Sequence, residues 1–205
     1  MTKSTWGGMA ALVLPIAILF SLCLSEPPFV LLMMLSAIVF HELGHILLFR
    51  LTTQRMPALS LECFGLRLSS SLPLLFYEEL LIALAGPSVN FILGVLFCRV
   101  GGSFFFSLGS MQFLFCFFNL LPYESSDGGR VLFILLCRAL SSKSAIKVFT
   151  FISAGTLAFF YFLSLYLFYL TGEGLLGVLF SVFSFPWSKV ESEGDLRDLA
   201  RKKEI

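Results

Sequence analysis

Charge is scarce in this chain. Acidic and basic residues make up 13% of its 205 positions and nearly cancel, leaving a formal net charge of +1. That balance excludes a basic nucleic-acid-binding surface and gives no reason to expect an acidic partner. Histidine is scarcer still, with two in the whole chain. The five cysteines, at positions 23, 63, 98, 116 and 137, fall singly and mostly inside apolar runs, with no Cys-x-x-Cys spacing. They read as packing residues, which excludes a disulfide framework and a thiolate metal cluster. No internal repeat or low-complexity segment is present, which excludes a solenoid.

Apolar residues fill the space that charge leaves. Hydrophobic types occupy 58% of the chain, and phenylalanine alone 25 positions. A soluble domain of this length cannot hide so much apolar surface, so lipid must cover it. Measured against the ~20 residues needed to cross a bilayer core, the sequence reads as about six spanning segments. They run from about Trp6 to Leu24, Phe29 to Leu51, Leu80 to Arg99, Phe104 to Leu121, Ala145 to Leu170 and Leu175 to Trp187. The first is not followed by an Ala-x-Ala-like cleavage site and ends instead in a Glu26-Pro27-Pro28 turn. The sixth is short and must tilt, thin the bilayer or lie partly in the interface. Val131–Leu140 is too short to span, is interrupted by Arg138, and reads as a helix at the inner membrane face.

Lysine and arginine placement sets the orientation. With the N-terminus inside, the inner side receives Lys3, Arg50, Arg55, Arg67, Arg130, Arg138, Lys143, Lys147, Lys189 and Arg201-Lys202-Lys203, and the outer side only Arg99. Both termini are therefore expected in the cytoplasm. Residues 52–78 break the membrane pattern. Leu59, Leu61 and Cys63 alternate with Ser60 and Glu62, and Leu66, Arg67 and Leu68 alternate after Gly65. Period-two alternation on either side of a glycine reads as a short β-hairpin, with an irregular cytoplasmic loop as the plainer reading. The expected fold is thus an all-α polytopic membrane protein with a short β-hairpin between its second and third helices. Residues 1–188 form the membrane domain and 189–205 a short charged tail.

Both histidines lie in one pentapeptide, His41-Glu42-Leu43-Gly44-His45, inside the second segment. Residues four apart share a helix face, so both imidazoles can point at one metal ion, with Glu42 beside them to handle protons. The plainer reading, polar residues that help helices pack, must meet a cost of at least ~2.5 kcal/mol for a charged carboxylate at mid-membrane. A helix of this kind points to hydrolysis carried out within the bilayer.

Two histidines do not complete a catalytic zinc site, which normally takes three protein ligands and leaves a position for water. The residues favour Asp127, in Asn119-Leu120-Leu121-Pro122-Tyr123-Glu124-Ser125-Ser126-Asp127-Gly128-Gly129-Arg130. Pro122 ends the fourth helix there. Non-helical backbone at membrane depth is tolerated only where protein buries it or it lines a wet cavity. Gly128 and Gly129 permit close backbone approach. Glu124 is the rival ligand, and the bland reading of Asp127 is a helix cap. Glu78 and Glu79 open the third segment and are expected at the interface.

Three motifs together carry a family resemblance: His41-Glu42-Leu43-Gly44-His45, Ala85-Gly86-Pro87-Ser88-Val89-Asn90, and Asn119-x-x-Pro122-x-x-x-x-Asp127-Gly128. In order and spacing they resemble the site-2 proteases, intramembrane zinc metalloproteases, over residues 29–140. The six-segment layout looks most like the branch that contains stage IV sporulation protein FB, which implies a bacterial cell membrane. Neither that branch's nucleotide-sensing CBS domain nor a PDZ domain is expected here.

The resemblance implies one Zn2+ per chain held by His41, His45 and Asp127, with Glu42 as general base. Asn119 and Asn90 carry uncharged donors that could steady an oxyanion or hold the substrate backbone. Interhelical hydrogen bonding is their plainer role. The implied substrate is a membrane-tethered protein cut within or next to its transmembrane segment. The alternative is a catalytically silent scaffold or client-binding protein of the same fold. An ion transporter would need ionisable groups along several helices, which the other segments do not supply.

Overall fold

The computed structural model of the chain describes residues 27–54, 58–62, 65–69, 74–124 and 126–171. The first and sixth expected spans, the charged tail and the link between the two strands lie outside the described residues. The chain divides into two compact units, Met1–Phe117 and Phe118–Ile205.

The first unit is organised around helices α1 (Pro28–Thr53) and α2 (Phe76–Val100). Pro27 caps α1 in an extended conformation and Pro28 occupies its first turn, where a missing N–H does no harm. The helix ends at Gln54, which takes the left-handed conformation at φ 55° and donates its N–H to the Arg50 carbonyl at 2.9 Å. Arg50 in that last turn complements the helix dipole. Strands β1 (Ala58–Glu62) and β2 (Gly65–Ser69) pair antiparallel, with Leu59 opposite Leu68 and Leu61 opposite Leu66. Gly65 does not separate the strands, because it is itself paired with Glu62.

Helix α2 begins earlier than the apolar run suggests. Glu78 folds back to accept the Leu75 N–H at 2.9 Å, so the helix recruits its own acidic first turn as a cap. Glu79 is buried within the protein, at 6% exposure, on the same face as Ile82, Ala83 and Gly86. Pro87 lies inside α2 and is itself fully buried; its ring withholds a donor from the Ala83 carbonyl. Gly101 and Gly102 then turn the chain at φ 83° and 86°, a region that favours glycine. Helix α3 (Ser103–Leu120) follows and stops ahead of Pro122.

The second unit contains α4 (Asp127–Ala139) and α5 (Ser142–Thr171). On α5, Ala145, Phe149, Ser153 and Leu157 are buried, a stripe at four-residue spacing. The Phe149 ring packs on Phe133 of α4 with centroids 5.2 Å apart.

Four helices among the described residues are long and apolar enough to cross a membrane: Pro28–Thr53, Phe76–Val100, Ser103–Leu120 and Ser142–Leu170. Their outward faces carry side chains such as Leu32, Phe106 and Phe151, the last 82% exposed. Water would penalise that surface at about 25 cal/mol per Å2, whereas lipid tails accept it. The chain is an integral membrane protein by this measure.

Candidate metal centre

His41 and His45 fall one helical turn apart on α1, and both are buried, at 4% and 7% exposure. Their Nε2 atoms lie 3.1 Å from each other. Two nitrogens on one tetrahedral zinc would stand roughly 3.3 Å apart, so the spacing fits a shared ion. The imidazole planes are nearly perpendicular, with ring centroids 4.7 Å apart.

The second nitrogen of His45 fixes its tautomer. Nδ1 donates to the Ile82 carbonyl of α2 across 2.7 Å. Nε2 is therefore the ring nitrogen that carries the lone pair. Metal-binding histidines characteristically hold their other ring nitrogen in this way, which orients the ring and raises its basicity. Glu42 follows His41 by one residue and is half-buried. A residue advances 100° around a helix, so Glu42 flanks the histidine face instead of sharing it. It can exchange protons beside the pair without filling a ligand position.

Glycine makes room for the imidazoles. A Cβ on Gly86 would press into His45 Nε2 and stand 2.7 Å from His41 Nε2. Gly44 on α1 likewise lets α2 approach, since a Cβ there would meet the Ala85 carbonyl oxygen at 2.9 Å. The third side is aromatic: Phe115 of α3 stands edge-on to the His41 ring, centroids 5.2 Å apart. Sequence reasoning had quoted Gly86 within a motif without giving it a role. The signal was present, because a glycine inside a membrane helix permits close approach.

In the second unit, Tyr123, Glu124 and Ser126 lead into α4 through specific bonds. Ser126, not Asp127, is the cap of α4: its Oγ accepts the Gly129 N–H at 2.9 Å. Its hydroxyl also donates to the Leu121 carbonyl. Asp127 is thereby the first residue of the helix, half-buried, with its carboxylate not spent on capping the Gly129 amide. Gly128 sits against the Leu120 carbonyl and Gly129 against the Tyr123 carbonyl, so closely that no Cβ fits at either position. The Glu124 N–H donates to Ser153 Oγ at 3.1 Å, which ties the loop to α5. Burial, and then the negative charge of Asp127, push the Tyr123 phenol up to about 12, so it stays neutral.

Asn90 on α2 has no exposed surface, whereas Asn119 near the end of α3 is half-buried. Sequence reasoning passed over Gln112 of α3, which is as fully buried as Asn90. An amide in the middle of an 18-residue apolar helix was the available signal. Among the described residues, Cys98, Cys116 and Cys137 form no disulfide, in keeping with a packing role.

No family model matches the chain, and no curated protein matches it. Among solved structures it is similar to the site-2 protease from Methanocaldococcus jannaschii, with a TM-score of 0.57 and 22% identity, covering 84% of this chain and 83% of that one. At that identity the likeness is one of fold. The chain shares its fold with that site-2 protease, and on this fold a buried histidine pair stands in a membrane-length helix.

Proposed function

We propose that this chain is an intramembrane zinc metalloprotease, hydrolysing peptide bonds within or next to the transmembrane segments of membrane-tethered proteins. The observation that carries the reading is the histidine pair: two buried Nε2 atoms 3.1 Å apart, one with its opposite nitrogen fixed on a backbone carbonyl. Such an arrangement suits a cation better than a packing contact, because burying polar nitrogens in lipid is expensive unless something binds them.

In this reading His41, His45 and Asp127 each offer one ligand atom to one metal ion. Two imidazoles and a carboxylate are a donor set of the kind that catalytic zinc takes. Zinc, when bound, supplies Lewis acidity that brings the pKa of water down to roughly 7. Glu42 accepts the proton of the attacking water and delivers it to the leaving amide nitrogen. Asn119 and Asn90 present amide donors to the oxyanion or to the substrate backbone. The substrate helix must unwind first, because its own hydrogen bonds shield the peptide groups. Strands β1 and β2 can hold an unwound segment by strand addition.

Residues 1–188 act as one membrane domain in this reading, with both termini in the cytoplasm and the catalytic end of α1 opening on that side. A bacterial cell membrane is the proposed location, and the stage IV sporulation protein FB-like branch the proposed kinship.

The test is Glu42→Gln in purified full-length protein, read for zinc content and for cleavage of a membrane-tethered substrate. Retained zinc with lost cleavage supports the reading.

A further inference from the structure

Two side-chain amides in the first unit have neither solvent nor, among the described residues, a hydrogen-bonding partner. Asn90 of α2 and Gln112 of α3 are both 0% exposed, and the oxygen and nitrogen of each are unsatisfied. A buried orphan amide destabilises a protein by roughly 1–3 kcal/mol for each group left unpaired. Lipid cannot relieve that, and native structures rarely carry such groups without a role.

Both amides belong to one helix interface. Gly86, Asn90 and Gly94 form the buried face of α2, and Gly109, Gln112 and Cys116 that of α3. The two faces meet, because the Gly94 position abuts the Phe113 ring and a Cβ on Gly109 would stand 2.9 Å from the Gly94 carbonyl oxygen. The interface leads to the histidines. Gly86, one turn from Asn90, lies against both imidazoles, and Phe115, one turn from Gln112, lies edge-on to His41.

We infer that Asn90 and Gln112 form a seat for the main chain of the unwound substrate segment, next to the histidine pair. The inference rests on the proposed proteolysis and deepens it. A carboxamide presents a donor and an acceptor side by side, so it pairs with the C=O and N–H of one peptide group. Residues of an intact helix have spent both groups internally, whereas an unwound residue offers both. Neutral amides therefore select backbone conformation, not side-chain sequence. They are also neutral enough to wait inside a bilayer, where a charged binding residue would not. In the packed state both amides are sealed. Phe113 and Phe115, half-buried rings flanking Gln112, are placed to move aside when substrate enters.

The test measures binding, in the full zinc-loaded chain carrying Glu42→Gln so that the peptide stays intact. The probe is a fluorescent synthetic single-span peptide with a central glycine pair, made as a series in which one backbone amide at a time becomes an ester. An ester removes the N–H and weakens the neighbouring carbonyl. One or two central esters should weaken binding by about three- to tenfold, the worth of one hydrogen bond.

Adding Gln112→Leu should abolish the penalty at one of those positions, and Asn90→Leu at another. A purely structural role would weaken binding across the series and leave the ester penalties intact. Gln112→Met, which keeps side-chain length, guards against misfolding. If neither Gln112 variant retains zinc, the Asn90→Leu series decides alone. No sensitive ester position, or penalties that persist undiminished in the variants, would overturn the inference. Cleavage is scored separately with Glu42 intact. If cleavage fails while the ester pattern holds, the protease reading falls and the backbone seat stands.

Discussion

His45 Nδ1 donates to the main-chain carbonyl of Ile82, 37 positions along the chain, across 2.7 Å. That single bond couples the histidine face of α1 to α2. It turns the His45 ring, fixes its tautomer, and holds it against Gly86 of α2, which has no side chain. The proton on Nδ1 leaves Nε2 basic, which is what a neutral imidazole ligand requires.

Gly86→Ala tests that fit. A methyl group there must displace both imidazoles, since its carbon would lie 2.7 Å from His41 Nε2 and closer to His45. The variant should keep its helices and lose zinc affinity by roughly tenfold or more, the scale seen when the support of a ligand is disturbed. Circular dichroism and metal titration read the two effects apart. Unchanged zinc affinity would mean that α2 does not confine the pair.

Ser126 should matter through the backbone. Its Oγ accepts the Gly129 N–H, and its hydroxyl donates into the loop. Ser126→Ala removes the cap and should destabilise the protein by about 1 kcal/mol. Ser126→Thr should restore most of it. The midpoint of thermal unfolding in detergent measures both. Equal midpoints for the alanine variant and the parent would remove the cap from the account.

The strands carry the third prediction. Proline at Leu61 or Leu66 removes a main-chain donor from β1 or β2, which pair at these positions. Cleavage should slow while zinc content stays at the parent level. Helix-breaking residues near the scissile bond of the substrate should speed it. Parent-level cleavage by both proline variants would discard strand addition.

The helix interior was legible in the sequence because its signals are local. The period of 3.6 puts His41 and His45 on one face whatever surrounds them, and run length located four spans to within a few residues. The other two expected spans lie outside the described residues. What stayed hidden depends on neighbours distant in sequence. Gly86 acquires its meaning only when the imidazoles of α1 are placed against it. The Ile82 carbonyl has no sequence signature at all, because every residue has one. The burial of Glu79 was equally hidden, because a carboxylate at a helix start is normally solvated. The plainer sequence reading made Asp127 the cap, and only backbone geometry gives that role to Ser126. Gln112 went unread because a single amide is a weak signal until its burial is known.

The central claim is that Glu42 moves protons while His41, His45 and Asp127 hold the metal. The most direct measurement compares Glu42→Gln with Asp127→Ala in purified full-length protein, each read for zinc content and for cleavage of a membrane-tethered substrate. Glu42→Gln should retain about one zinc per chain while turnover falls at least ~100-fold, the lower end of what losing a general base costs. Asp127→Ala, like His45→Ala, should lose both activity and zinc, because two ligands hold the ion poorly. Glu124→Ala is the control. Zinc lost there and kept in Asp127→Ala would transfer the ligand to Glu124. Parent-level cleavage by Glu42→Gln would contradict the metalloprotease mechanism itself.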